Sequence, residues 1–183
     1  KRQGIPLPGI EIRIVNEEGN EVKVGQIGTI ELKGENIFKG YWGMEEKTKE
    51  SFKDDGFFIT GDLAKKDENG YFTIVGRDKD MIISGGLNVY PKEIEDVINE
   101  LPNITESAVF GVQHDDFGEA VVAAVVTTDD KNDGSQILDY TKNKIAKYKQ
   151  PKKIIFMSNL PRNSMGKVQK NKLRENNKSL FKS

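Results

Sequence analysis

Residues 71–97 read YFTIVGRDKDMIISGGLNVYPKEIEDV, and how this stretch is divided decides the fold. Two apolar runs, Ile74-Val75 and Met81-Ile82-Ile83, flank five residues, of which Arg77, Asp78, Lys79 and Asp80 are charged. A simple hairpin turn needs only a pair such as Asn-Gly or Asp-Gly. The charges keep this segment in water, and Gly85-Gly86 follow almost at once. The chain reads differently on its two sides, so the stretch marks a junction.

Upstream, the pattern is β. EIRIV (11–15) alternates, EEGNEV (17–22) reads as a turn, and IGTIELKG (27–34) alternates again. Residues 36–52 are irregular and then give a short helix. Residues 55–77 read as strand, turn at Glu68-Asn69-Gly70, and strand. Downstream, PKEIEDVINEL (91–101) predicts a helix, with Pro91 in its first turn and Ile94, Val97, Ile98 and Leu101 on one face. ESAVFGVQ (106–113), EAVVAAVVTT (119–128) and KKIIFMS (152–158) are apolar strands. SQILDYTKNKIAKY (135–148) predicts a second amphipathic helix with Leu138, Ile145 and Tyr148 near one face. Residues 159–176 form a loop entering a short helix. The expected fold is α+β: a β-rich piece over 1–78, a junction at 79–80, and a small α/β unit over 81–183 with a short mixed sheet flanked by helices.

The 183 residues are 36% hydrophobic and 31% charged, enough for one domain or two small ones. With no cysteine, a disulfide framework and Cys-based metal sites are excluded, and the composition leans toward a reducing compartment, the cytoplasm. No apolar run approaches the ~20 residues of a membrane span. The start, KRQGIPLPGIEIRIV, lacks an initiator Met and the apolar core of a signal peptide, so the chain is expected to be a piece of something longer. Net charge is -1 but uneven: from Lys142 onward there are 13 Lys and Arg against one acid, Glu175. A basic tail suits nucleic acid, an anionic surface or a phosphorylated ligand, and equally a solvated Lys-rich helix.

Four stretches offer chemistry. In TGD (60–62), Asp62 follows a strand and a glycine, where a carboxylate can accept hydrogen bonds from a vicinal diol such as a ribose. Arg77, after the next strand, offers a rigid fork of donors. A turn Asp and a surface Arg would read the same way. Gly85-Gly86 suit a turn, a bulge, or close approach of a ligand to backbone. In LPRNSMGKVQK (160–170), Lys167 follows a glycine in a polar loop and can reach carboxylate or phosphate oxygens as a point charge. It can also be one more solvated lysine. His114, the one histidine, is a general-base candidate without a second His, Cys or Ser beside it, or a turn histidine.

Taken in order, TGD, DENGYFTIVGRDKDMIISGGLNVYPKEIE, GVQHDDFGE, YKQPKK and LPRNSMGKVQK resemble the C-terminal third of the acyl-adenylate-forming superfamily. The resemblance covers essentially the whole chain, including FKGYW and Thr48 ahead of TGD. ISGGLNVYPKEIE is more like the acid–CoA ligases than the adenylation domains that load carrier proteins, which usually carry Gly-x-Arg-Ile there. The resemblance implies a two-step ligase: a carboxylate, fatty or similar, and ATP give acyl-AMP and pyrophosphate, and CoA then gives acyl-CoA and AMP. Asp62 would bind the ribose hydroxyls with Arg77 assisting, and Lys167 would bind carboxylate and α-phosphate oxygens. Lys79 falls at the hinge position, which is Asp or Lys in the family. Gly85, Gly86 and Asn88 would flank the pantetheine tunnel. Phe117 and Tyr148 would hold the CoA adenine, with Lys149 and Lys152 near its phosphates; Gln150 departs from the basic residue some members carry. The phosphate loop, the acyl pocket and the Thr-Glu pair that helps hold Mg²⁺ belong to a larger N-terminal region that would be the partner of this chain, so the chain alone is expected to be inactive. Small-molecule substrates are expected, with no metal site in this chain, no nucleic acid and no transmembrane segment. A nucleic-acid module using the Lys-rich tail is the distant alternative, without interleaved aromatics to support it.

Overall fold

The computed structural model describes residues 4–129 and 133–182. The chain divides into two compact units between Lys79 and Asp80.

The first unit is an antiparallel meander of β1 (Ile10–Val15), β2 (Ile27–Gly34), β3 (Phe58–Lys66) and β4 (Phe72–Arg77), in that spatial order. Helix α1 (Glu45–Ser51) lies between β2 and β3 in sequence. The turns have local causes. The Asn16 side-chain oxygen accepts from the N–H groups of Glu18 and Asn20, closing the β1 turn. Asp67 does the same for Asn69 and Tyr71, with Gly70 at φ +81°, at the turn expected from Glu68-Asn69-Gly70. Inward positions of the alternating strands, Ile14, Ile30, Ala64 and Phe72, make a small core. On the other face Glu31 is buried and pairs with Arg13 at 2.6 Å.

The second unit is built on β8 (Gly118–Thr127). β7 (Ile104–His114) runs antiparallel along one side of it. On the other side, β5 (Ile82–Ser84) pairs at Ser84↔Gly118 and β9 (Lys153–Phe156) runs parallel beside Val122–Val125. β6 (Leu87–Val89) completes an edge hairpin with β5. The sheet is therefore mixed, and the unit is α+β as expected. The run VVAAVV works because β8 is covered twice. Val121, Ala123 and Val125 face Ile94, Ile98 and Ile137 of α2 (Pro91–Ile98) and α3 (Ser135–Lys142). Val122 and Ala124 face Leu160 and Leu173, the latter on α4 (Lys170–Asn176).

Both longer helices stop earlier than their periodicity suggests. α2 ends at Ile98 because Pro102 disfavours helical backbone at Leu101, which tucks against the core from a turn. The second expected helix ends at Lys142, not Tyr148. The Thr141 hydroxyl donates to the Leu138 carbonyl and the Asn143 amide to the Asp139 carbonyl, and the backbone is extended at Ala146 (φ −58°, ψ 148°). Its buried face is Ile137 and Thr141, while Tyr148 stands exposed on a separate 3₁₀ turn, Lys147–Lys149.

Candidate functional site

The four charges of RDKD divide between the units. Arg77 and Asp62 are cross-strand partners on β4 and β3, and Arg77 Nε meets Asp62 Oδ1 at 2.7 Å. Asp80 reaches Arg174 of α4 at 3.5 Å. Asp78 and Lys79, between them, are exposed on a 3₁₀ turn. Each outer charge thus anchors into its own unit, and the two inner ones face water.

Asp62 is held by its neighbours. The Thr60 hydroxyl donates to the Ile30 carbonyl of β2 at 2.8 Å and accepts from the Asp62 N–H at 3.0 Å. Gly61 takes φ +70°, a left-handed conformation that favours glycine. The ladder then shifts register between Leu63 and Ala64. This kink fixes the carboxylate at a partly exposed position. Among the described residues Arg77 is its ionic partner, through one oxygen, so the other oxygen can accept from a diol.

Lys167 sits in an ordered turn. The Asn163 side-chain oxygen accepts from the N–H groups of Met165 (3.0 Å) and Lys167 (2.9 Å), and the Asn163 N–H donates to the Lys167 carbonyl at 3.0 Å. Arg162 donates to the Gly166 carbonyl at 2.6 Å and pairs with Glu106 of β7. Lys167 is exposed, and no carboxylate pairs with it among the described residues. It shares that state with Lys147, Lys152, Lys153, Lys172 and Lys182 of the basic tail; what distinguishes Lys167 is the ordered Asn163 turn that carries it. Of the thirteen cations there, Lys142, Lys144, Lys149, Arg162, Lys170, Arg174 and Lys178 are matched to acids of the same unit. Glu175 belongs to the tail itself, so acids outside it neutralise six charges, half of the tail's excess of twelve, which weakens the electrostatic case for a polyanion surface.

The residues expected to meet CoA gather along one edge of the second unit. Gly85 and Gly86 form the two-residue loop of the β5–β6 hairpin with φ +59° and +77°, as the mirror-image tight turn requires. A Cβ on either would meet nothing within 4 Å, so backbone conformation, not space, calls for glycine. The Gly85 N–H donates to the Phe117 carbonyl at 2.9 Å, which joins the hairpin to the β7–β8 turn. Lys152 Nζ stands 5.0 Å over the Phe117 ring. Asn88 hydrogen bonds Tyr90, whose phenol is pushed up by burial, partly offset by that bond and by the charge of Lys149. Lys149 donates to both oxygens of Glu93 at 2.8 Å. Burial pulls its ammonium down, but the hydrogen bond and charge of Glu93 outweigh this and hold it above an ordinary lysine. Tyr148 lies next to it, with Lys149 Nζ 5.6 Å from its ring centroid. No Phe117–Tyr148 ring contact is seen among the described residues. Lys152, without a carboxylate partner among the described residues, is better placed than Lys149 to meet a phosphate.

Two polar clusters went unread in the sequence. Glu95 of α2 pairs with Lys170 of α4 at 2.6 Å and accepts from the Val109 N–H at 2.8 Å, tying two helices across β7. Glu119 accepts from the Ile83 N–H at 2.8 Å. Neither spacing has a local signature, because each joins residues remote in sequence. His114 makes tilted ring contacts with Phe117 (4.8 Å) and Phe181 (5.1 Å), and its Nδ1 accepts from the Asp116 N–H. That is a turn histidine. No group of three or more His, Asp or Glu that could hold a metal occurs among the described residues, and no helix there is long and apolar enough to cross a membrane.

Residues 93–167 match the family described as AMP-binding enzyme C-terminal domain, and residues 1–42 match the AMP-binding enzyme family. The indoleacetate–CoA ligase of Aromatoleum aromaticum is 41% identical over 94% of this chain and 34% of its own length. The long-chain-fatty-acid–CoA ligase of Yersinia pestis is 38% identical over 94% of this chain and 30% of its own. The crystal structure of ATP-bound MatB from Rhodopseudomonas palustris superposes with a TM-score of 0.92 at 55% identity, over 99% of this chain and 36% of that one. The chain spans about a third of the length of these relatives.

Proposed function

Because the chain belongs to the AMP-binding enzyme family, we propose that it is the nucleotide- and CoA-handling C-terminal part of an ATP-dependent acid–CoA ligase. The full-length enzyme joins a carboxylate to ATP, releasing pyrophosphate, and then transfers the acyl group from acyl-AMP to the CoA thiol, releasing AMP. Asp62 accepts the ribose hydroxyls while Arg77 orients its carboxylate. Lys167 meets the carboxylate and α-phosphate oxygens as negative charge builds at phosphorus. Gly85, Gly86 and Asn88 border the thiol's approach. Phe117 and Tyr148 offer faces to the CoA adenine, and Lys152, with Lys149, meets its phosphates. The observation that supports this most is the convergence of these last seven residues, spread from 85 to 152 in sequence, along one edge of the second unit.

The acid is a fatty or similar carboxylate. Relatives named for indoleacetate and for long-chain fatty acids match this chain almost equally, so the matched segment reads what those ligases share, ATP and CoA, and the choice of acid lies outside it. Mg²⁺ for the adenylation step is likewise held by groups outside this chain. Both ATP and CoA point to the cytoplasm.

Lys167→Ala in the full-length ligase tests this directly. Acyl-AMP formation, followed by pyrophosphate exchange, should fall on the order of 10²–10³-fold, the size of losing one preorganised charge contact. Thioester formation from supplied acyl-AMP should stay within a few-fold. Equal losses in the two half-reactions would reject the role. The 183-residue chain alone should turn over neither step, and acyl-CoA production by it would remove the need for an upstream region. Lys79 serves as the pivot between the two half-reactions. Lys79→Pro fixes φ and deletes an N–H, so one half-reaction should survive and the other fail. Wild-type rates in both would move the pivot elsewhere.

A further inference from the structure

The β5–β6 hairpin is fastened to the sheet by little backbone. β5 pairs with β8 at one position, Ser84↔Gly118, and the Gly85 N–H adds a bond to the Phe117 carbonyl. In a hairpin closed by Gly85-Gly86, Ser84↔Leu87 is the hydrogen-bonded pair, so the Ile83 N–H points away from β6 toward β8. A backbone carbonyl would ordinarily take it. Here the Glu119 carboxylate does, at 2.8 Å from Oε2. The side chain of β8 thereby extends the ladder beyond the point where strand pairing stops.

The seat for that carboxylate is also built. Glu119 lies over Gly111 of β7, in a space that any other residue would fill. A Cβ at Gly111 would come within 2.4 Å of Glu119 Oε1, 2.8 Å of its Cδ and 3.0 Å of Ile82 Cγ2. Gly111 has ordinary backbone, so clearance for Glu119 is what requires glycine there. Gly118 adds a left-handed residue (φ +70°), whose Cβ would stand 3.7 Å from the Ile83 carbonyl. Three residues of GVQHDDFGE that no assigned role explains, Gly111, Gly118 and Glu119, converge on the Ile82-Ile83 segment of β5.

We propose that Glu119, seated on Gly111, is a positioning residue for the CoA half-reaction: it fixes the Gly85-Gly86 hairpin against the Phe117 turn. This rests on the acid–CoA ligase assignment. Glu119 touches neither substrate nor reacting atoms. It acts through Ile83 on the loop that borders the thiol's approach, where a shift of about 1 Å costs on the order of a hundredfold.

The test uses the full-length ligase and reads the two half-reactions separately, with CoA varied in the second. Glu119→Ala should lower thioester formation from supplied acyl-AMP by on the order of tenfold to a hundredfold, mainly in kcat, and leave pyrophosphate exchange within about twofold. Glu119→Gln keeps an oxygen acceptor for the Ile83 N–H and should recover most of the rate. Gly111→Ala should reproduce Glu119→Ala by displacing the carboxylate. The double variant should be no worse than the poorer single one, because both remove one interaction. Amide exchange at Ile83 should speed up in Glu119→Ala and Gly111→Ala while Val121 stays protected. Should both half-reactions fall together, neither fall, Gln fail to rescue, or the singles add, the assignment is overturned. A wild-type protein that forms neither acyl-AMP nor acyl-CoA would instead bring down the ligase assignment itself, and this one with it. Wild-type turnover with an indifferent Glu119 would overturn this one alone.

Discussion

The second unit covers its sheet on both faces, with α2 and α3 on one side and α4 on the other, and fills the two spaces with the fully buried Ile82, Ile94, Ile98, Ile137, Phe110 and Leu173 among others. In the first unit the four-stranded meander has Ile14, Ile30, Ala64 and Phe72 as its buried cluster among the described residues. Ile5, Leu7 and Val24 are more than half exposed, and Trp42 is wholly so. The aromatic group Phe38, Tyr41, Phe52 and Phe58 packs in edge-to-face and tilted pairs near α1, with Phe38 itself 40% exposed. A sheet covered on two sides can hold itself together. A small meander with a thin core is marginal at this length and gains from whatever covers its apolar surface. In each unit the candidate ligand residues lie where regular pairing breaks: the kink at Gly61 and the register shift after Leu63 in one, the glycine hairpin and the Asn163 turn in the other.

The largest expected effect comes from cutting the chain between Lys79 and Asp80. Residues 80–183 should melt in one cooperative transition, whereas residues 1–79 should show little cooperativity and bind a hydrophobic dye such as ANS. Two transitions of similar sharpness and midpoint would break the contrast between the units.

Much of this division was legible beforehand. Period-two alternation marked strands of the first unit, and EAVVAAVVTT read as an apolar strand; β8 is that strand, and its unbroken VVAAVV run is covered on both faces. The turn at Glu68-Asn69-Gly70 and the start of α2 at Pro91 followed from backbone chemistry. Helix ends were less legible. Asn143 and Thr141 bond back to carbonyls of their own turn, and no window average registers that for residues 143–148. Asp62 and Lys167 were visible as residues, but their restraint was not. The Thr60 hydroxyl meets a carbonyl thirty residues away, and Arg162 pairs with Glu106 across the sheet. The basic tail was misleading for the same reason. Several of its partners, Glu93 and Glu95 on α2, Glu106 on β7 and Asp80 at the junction, are remote in sequence, so composition showed an excess that pairing halves.

Glu95→Ala should give the next largest effect, about 3 kcal/mol in the unfolding of the second unit. It strips Lys170, itself only 16% exposed, of its carboxylate and leaves the Val109 N–H without its acceptor. Glu95→Gln keeps an oxygen for Val109 and should lose roughly half as much, since a neutral hydrogen bond contributes about 1 kcal/mol. Urea titration of residues 80–183, read by the midpoint at constant slope, separates the two variants. If Ala and Gln cost the same, the backbone bond contributes little and the ion pair alone fastens α4 to α2.

Glu31→Ala in the first unit should cost less, about 1–2 kcal/mol, although Glu31 is the more buried carboxylate, 1% exposed against 15% for Glu95. What remains after truncation decides this, not burial. Arg13 would keep Asp55, at 2.6 Å, and its place over the Phe57 ring, 3.8 Å from the centroid, and Lys53, whose contact with Glu31 is a long 3.9 Å, is exposed enough to be solvated without it. Removing Glu31 also relieves the desolvation of a fully buried carboxylate, which offsets part of the lost attraction. The companion variant Asp55→Ala should sharpen the point. Asp55, exposed at the surface, has its carboxyl held below the usual range, chiefly by the hydrogen bond from Arg13. A carboxyl with a lowered folded-state pKa contributes stability above its unfolded pKa and loses it as pH falls through the folded value. Acid should therefore destabilise the wild type more than Asp55→Ala below about pH 4, the ordinary Asp range. If Glu31→Ala proves costlier than Glu95→Ala in matched urea titrations, depth of burial would rank these ion pairs, and the first unit would depend on its charge network more than on its small core.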